Sequence, residues 1–289
     1  MQNGKGSRTK KLRVFSGISK GRFFMAGLID ENVRFHLKIR NGDVGRYVIL
    51  PGDPGRVPLI AERLDNAVQV AQNREYNVYT GELCGVKVSV CSTGIGGPSA
   101  AIAVEELIDS GADTFIRVGT SGGIDLSVFG GDLIIAEAAI RAEGTSYEYI
   151  PNGYPAVADF AVTSALAEAA EKLSENENGK RFHVGVVHSK DSFYGETNPE
   201  RSAVCDNIKS RWDSYVKCGC LTSEMECAAI YSVGLVRSLY EKKIRCGAVL
   251  TALWNAERSK QNLPDTFCNS SERAITCAID AIKLLIERD

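Results

Sequence analysis

Three arginines stand close to points where β-rich runs meet glycine-containing or polar turns. Leu50-Pro51-Gly52-Asp53-Pro54-Gly55-Arg56 ends one run, Asn73-Arg74-Glu75-Tyr76 lies between two others, and Arg117-Val118-Gly119-Thr120-Ser121 ends a further one. A guanidinium offers a planar fork of donors that suits phosphate oxygens, and the turns add backbone N–H groups and hydroxyls. A fourth stretch, Cys91-Ser92-Thr93-Gly94-Ile95-Gly96-Gly97-Pro98-Ser99, stops a buried run and launches an apolar periodic segment over 100–107. Its glycines let the backbone approach a partner closely, and Pro98 suits a first helical turn. That construction can cradle a phosphate. Taken singly, each arginine reads equally as a surface ion pair, and the glycine turn as a packing device. Together they point to a free phosphate or a phosphate ester.

These residues need elements to position them. From about Asp43 onward, β-rich runs alternate with helical periodicity. Runs over 47–50, 67–70, 76–83, 86–91, 114–119, 133–140, 182–188 and 244–253 read as strands. Segments through Leu64, over 100–107, 159–173, 226–240 and 271–286 read as helices. The alternation predicts an α/β fold: a mixed, largely parallel central sheet flanked by helices on both faces. No internal repeat or linker divides the body, so residues 30–289 read as one domain. Ligands in such folds bind beyond the carboxyl ends of strands. The turns after Leu50, Cys91 and Val118 all belong there.

Composition narrows the class. The 289 residues are 44% hydrophobic and 24% charged, with a net charge of −2. This gives no support to a nucleic-acid or membrane partner for the body, and no apolar run is long enough to span a bilayer. Nine cysteines are scattered, many within apolar segments, and only three histidines are present. Cys218-Gly219-Cys220 is the one close pair, too little for a zinc site, so unligated thiols and a reducing cytoplasm are expected. Residues 1–29 carry seven Lys or Arg before the first acid, Asp30. They read as a basic extension, either disordered or a targeting segment.

The segments quoted above continue in order with Pro155-Ala156-Val157-Ala158-Asp159-Phe160, Asp191-Ser192-Phe193-Tyr194 and Glu224-Met225-Glu226. This ordered set resembles the uridine phosphorylases, within the nucleoside phosphorylase family that includes the hexameric purine nucleoside phosphorylases. The resemblance runs from His36 to the C-terminus. It implies reversible phosphorolysis of uridine to uracil and ribose 1-phosphate, with inorganic phosphate as co-substrate and no cofactor. By resemblance, Gly52, Arg56, Arg117, Gly119 and Thr120 hold phosphate, and Arg74 reaches it from a neighbouring subunit. Met225, Glu226 and Glu224 lie at the ribose. Glu226 is the main sugar ligand, because a carboxylate can accept from both sugar hydroxyls and residues two apart do not share a helical face. His36, alone an ordinary surface histidine, would meet the 5′-hydroxyl across the subunit boundary. The implied assembly is a homodimer, or a higher oligomer built from dimers. Glu75, Ile95 and Ser99 match an interface cation site of some relatives, with an interface ion pair as the other reading of Glu75.

The base is where the pattern departs from the family. Thr93, Gly94 and Phe193 match its base side. Asn255 stands where the purine branch carries an aspartate acid, which favours a pyrimidine leaving group. Yet the Gln-x-Arg pair that reads uracil is not intact: Phe193-Tyr194 is followed by Gly195-Glu196-Thr197-Asn198-Pro199-Glu200-Arg201. Arg201 takes the arginine's role if the loop is longer; an ungapped match puts Asn198 or Pro199 there. Ala256 occupies another expected arginine position, with Arg258 nearby. An altered pyrimidine preference, a purine phosphorylase, a nucleosidase and a non-catalytic nucleoside-binding protein stay open. A dinucleotide oxidoreductase is a weaker reading still, because Gly94-Ile95-Gly96-Gly97 lacks the full fingerprint spacing and acidic ribose ligand.

Overall fold

A long strand, β5 (Thr114–Gly123), organises the molecule in the computed structural model, which describes residues 32–177, 181–240 and 242–289. The basic segment 1–29 lies outside the described residues. On one side of β5 run β1 (Tyr47–Pro51), β4 (Val86–Cys91), β3 (Tyr76–Leu83) and β2 (Asp65–Asn73), in that spatial order. β1 pairs parallel with both β5 and β4, while β3 pairs antiparallel with β4 and β2. On the other side β5 pairs parallel with β10 (Arg245–Asn255). From β10 the sheet continues through β6 (Leu133–Ala142) and β8 (Phe182–Lys190) to β9 (Thr222–Glu224), which pairs back onto β5. Five strands therefore close a ring, with β1 to β4 as an open wing. The two-residue β7 (Ala156–Val157) lines the edge of β6.

Burial on both faces explains why β1 reads as an unbroken apolar run, and why β5 carries Phe115, Ile116 and Val118 around the single charge of Arg117. One face packs α2 (Gly97–Asp109) and α7 (Cys227–Tyr240), with α3 (Thr145–Tyr149) beside them. In α2, Ala100, Ala103, Val104 and Leu107 form the buried stripe. The opposite face packs α1 (Arg56–Ala61), α4 (Phe160–Glu175) and α9 (Glu272–Arg288). Asp159 caps α4 by accepting from the Ala161 and Val162 N–H groups. The expected α/β architecture is the one observed. All nine cysteines are free, and no described helix is long and apolar enough to cross a membrane.

Two elements differ from expectation. β5 does not stop at Gly119. Past the end of β1 its backbone keeps pairing with β10, and Gly122 and Gly123 pair with Ser223 and Thr222 of β9. Long-range pairing thus extends a strand that local composition would end at Thr120-Ser121-Gly122-Gly123. The second is α6 (Cys205–Lys217), which has no fully buried residue. Its partly shielded residues Cys205, Ile208, Trp212, Tyr215 and Val216 recur at helical spacing, an amphipathic line in an otherwise polar segment. Three short helical pieces complete the chain: α5 (Phe193–Thr197), a 3₁₀ turn (Pro199–Arg201) and α8 (Ala256–Lys260).

Candidate active site

β5 changes partner along one edge. Its pairing with β1 ends at Val118 and that with β9 begins at Gly122, so Gly119 to Ser121 flank an opening. A cavity of about 600 Å³ lies there, as the switch-point rule for open α/β sheets requires. Gly52, Gly94 and Gly119, one from each expected strand end, all line it.

The centre of the cavity is a buried charge cluster. Arg117, 4% exposed, projects from β5 between two acids. Its Nε lies 3.1 Å from Glu224 Oε2, and its Nη2 contacts Glu226 Oε2. The acids reach it from different settings: Glu224 ends β9, and Glu226 immediately precedes α7. Glu224 is fully engaged by the fold. It accepts from the Glu226 and Cys227 N–H groups and the Ser189 hydroxyl, besides Arg117. Burial would raise its pKa, but Arg117 and these donors hold it below the ordinary carboxylate value. Glu226 accepts from the Gly96 N–H at 2.5 Å. Burial is the largest influence on it and Glu224 adds repulsion, so its pKa is raised despite Arg117. Burial alone would lower the pKa of Arg117; the two glutamates reverse that and keep it charged. Of the pair, Glu226 retains acceptor capacity toward the cavity.

The glycine turn therefore does something other than its sequence suggests. The Gly96 amide, at the start of α2, holds the Glu226 carboxylate, a placement the helix N-terminus favours. Gly94 lines the cavity at φ +66°, and a Cβ there would come within 2.9 Å of Glu75. Thr93 is fully buried, donates its hydroxyl to the Gly94 carbonyl and does not line the cavity.

At the other end of the cavity stand Gly52, Arg56, Gly119 and Thr120. The Ser121 hydroxyl, also on the wall, is buried without a partner among the described residues. An unpaired buried donor is costly unless something else satisfies it. Gly119 has a steric reason. A Cβ would lie 2.8 Å from Arg117 Nη2, so only glycine lets the guanidinium cross the strand at this height. Met225, Phe193, Leu253 and Trp254 supply the apolar wall.

Several expected residues are not brought to this cavity. Arg74 sits exposed on the β2–β3 turn at φ +52°. His36 places its Nδ1 2.7 Å from Glu106, in a separate groove with Pro98 and Tyr149. Arg201 is exposed in the 3₁₀ turn and Arg258 stacks on Phe129. Glu75 and Ile95 do reach the cavity mouth, and Ser99 donates to Glu75 at 2.8 Å.

Asn255 is wholly buried and structural in its contacts. Its amide donates to the Asp125 and Val128 carbonyls, and its Oδ1 caps α8 by accepting from the Arg258 N–H. Asn255→Asp would replace a donor that faces two carbonyl oxygens. We expect it to cost about 1–3 kcal/mol in urea unfolding, with no gain of purine cleavage in a parallel inosine assay.

Ser223, Leu253 and Trp254 were not anticipated as lining residues. Ser223 lies in a three-residue strand with no local signature. Trp254 marks the end of β10, where a bulge between Ala252 and Trp254 shifts the register.

Comparison with known proteins identifies the family. Residues 46–286 match the Phosphorylase superfamily model. The chain is 48% identical to a uridine phosphorylase of Treponema pallidum over 88% of its own length and 95% of the relative's. It is 43% identical to a uridine phosphorylase of Thermococcus kodakarensis, covering 90% and 89% of the two chains. A guanosine phosphorylase of Halorubrum lacusprofundi is 37% identical, with 86% and 98% covered. The match spans every strand of the ring and of the wing that meets it, and the chain belongs to the Phosphorylase superfamily.

Proposed function

We propose that the protein catalyses reversible phosphorolysis of uridine, giving uracil and ribose 1-phosphate. The observation that carries this reading is the position of Arg117, shared between a donor-rich cavity end and Glu226. Phosphate bound by Arg56, Arg117, Thr120 and the backbone near Gly52 and Gly119 faces C1′ of a ribose held by Glu226 and Met225. A phosphate oxygen forms the new bond to C1′ as the C1′–N1 bond breaks; the bonding pair leaves with the base, and the proton given up by hydrogen phosphate ends on the uracil anion. The transition state is oxocarbenium-like, so positioning and preorganised charge supply the catalysis. Glu226 accepts from the ribose 2′- and 3′-hydroxyls, and Ser121 adds a hydroxyl on the same wall. Uracil spreads its negative charge over ring oxygens and needs no strong acid. The names of two close relatives support uridine as the substrate.

The purine alternative draws on the guanosine phosphorylase relative. Both are tested by assaying uridine, thymidine, deoxyuridine, inosine and adenosine with and without phosphate. Uridine cleavage strictly dependent on phosphate is expected. Base release at the same rate without phosphate would identify a nucleosidase, and binding without release a carrier.

Arg74 and His36 lie outside the cavity of their own chain, which supports their serving a neighbour's site in a homodimer or larger assembly. A monomeric preparation with full activity would refute this. Glu75, with its pKa lowered by its own backbone N–H and by Ser99, keeps a charged oxygen at the cavity mouth. With Ser99 and the Ile95 backbone it suits a hard cation or an ion pair across that interface. No step of the reaction runs through such a cation, and the chemistry calls for no cofactor. The unpaired thiols fit a cytoplasmic setting.

A further inference from the structure

We propose that Glu196 is a positioning residue: its buried carboxylate latches the Phe193 segment over the base end of the cavity and ties it to the strand that carries Glu224. This rests on the nucleoside reading of the cavity given above.

α5, which carries Phe193, is five residues long and none of them is fully buried. So short a helix has no stability of its own. Ser192 caps it by accepting from the Gly195 N–H at 2.9 Å. Its remaining polar anchor is Glu196, whose carboxylate sits in a nest of polar groups. Ser223 Oγ donates to Glu196 Oε1 at 2.7 Å, and Lys190 Nζ lies 3.0 Å from the same oxygen. His188 Nδ1 lies 2.9 Å from Oε2, so the tautomer protonated there donates to it. Lys190 also donates to Ser223 Oγ at 2.6 Å, closing the network. The side chains of His188, Lys190 and Glu196 are only 7%, 9% and 11% exposed.

This nest is high-stakes because its charges are largely buried. Removing the carboxylate charge would leave Lys190 buried without its counter-charge. Each attachment also has a consequence for the cavity. Lys190 Nζ sits 5.9 Å from the Phe193 ring centroid. Ser223 lines the cavity and directly precedes Glu224, the acid that holds Arg117. Behind the nest, the His188 ring leans on Tyr215 of α6, and a cavity of about 170 Å³ separates it from Trp212. The Glu196 side chain does not line the phosphate cavity itself. It therefore acts through Phe193 rather than by touching the base.

The test is Glu196→Gln, with Lys190→Met as a second variant that breaks the same network from the other side. Hydrogen exchange on the ligand-free protein should show faster exchange at 193–197 in both variants, with α2 and α7 unchanged. Because that readout needs no turnover, it tests the latch even if uridine is not the substrate. In kinetics, each variant should raise the nucleoside KM about tenfold or more, the scale of a lost charge-assisted hydrogen bond. The phosphate KM should stay within about twofold, since Arg56, Arg117 and Thr120 are untouched. In a Phe193→Ala background, Glu196→Gln should have almost no further effect, because the ring it positions is gone. Unchanged exchange at 193–197 would overturn the proposal. So would an undiminished effect of Glu196→Gln in the Phe193→Ala background, which would mean direct contact with the base. An equal rise in the phosphate KM would overturn it too, by showing general disruption of β9.

Discussion

Arg117→Met is expected to abolish measurable phosphorolysis and to weaken the fold at the same time. Arg117 is the only side chain bonded to both Glu224 and Glu226 among the described ion pairs, and it also borders the donor-rich end of the cavity. Loss of one preorganised charged donor costs about 10²–10³ in rate in comparable sites. Here the same change also releases Glu226, so the fall in kcat/KM should be at the upper end of that range or beyond. The second effect is electrostatic. Without the guanidinium, two carboxylates face each other in a buried site, a loss of about 3–5 kcal/mol when one partner of a buried pair is removed.

The pH dependence of that loss has a definite sign. In the wild type, burial already raises the Glu226 pKa, and Arg117 is the main group opposing the rise. Removing Arg117 pushes it further above its unfolded value. A folded-state pKa above the unfolded one means that stability falls as pH rises and recovers on acidification. Urea unfolding of Arg117→Met should therefore show a smaller deficit near pH 5 than near pH 8. Adding Glu224→Gln should restore part of the stability and none of the activity. Recovery of activity with stability would show that Arg117 serves the fold alone.

Gly119→Ala should be the next most damaging single change to activity, through one methyl group. The added carbon would lie 2.8 Å from Arg117 Nη2, 2.9 Å from its Cζ and 3.0 Å from Leu250 Cδ2. A free arginine would swing away at little cost, but this one is held on both sides by glutamates. The guanidinium must shift, and a misplacement of about 1 Å can cost about 10²-fold in rate. The overpacking itself should cost only about 1–3 kcal/mol. The variant should thus be folded, with kcat/KM for uridine and phosphate down about 100-fold. Near-normal kinetics in a folded Gly119→Ala protein would mean that the position of Arg117 is less constrained than its contacts indicate.

The legible parts of this protein are those governed by local rules. β-rich runs of strand length over 76–83 and 86–91 coincide with β3 and β4. Asp159 announces α4 because a cap needs only its own neighbours. Gly52, Arg56, Gly94, Arg117, Gly119, Thr120, Phe193, Met225, Glu224 and Glu226 all reach one cavity. Their motifs sit at strand ends, and strand ends of one sheet are brought together. The illegible parts depend on partners far away in the chain. α6 is polar apart from a helically spaced line, Ile208, Trp212, Tyr215 and Val216, which shields a polar nest rather than the core. Asn255 looks like a site residue from its place at a strand end. Its amide is instead taken up by carbonyls 127 and 130 positions earlier.

The two glutamates mark the division most clearly. By itself the sequence determined the alternating α/β architecture, the three strand ends that form the cavity, and the presence of an arginine and paired acids among them. Spacing also showed that Glu224 and Glu226 could not share a helical face. Only the tertiary structure decided their separate tasks. It sets Glu224 at the end of β9, saturated by backbone amides, Ser189 and Arg117, and leaves Glu226 at the start of α7 with Gly96 and Arg117. The physical reason is that an acid's role depends on which donors have already claimed its oxygens. Those donors arrive from β5, β8 and the α2 turn, through strand pairings that no local pattern encodes.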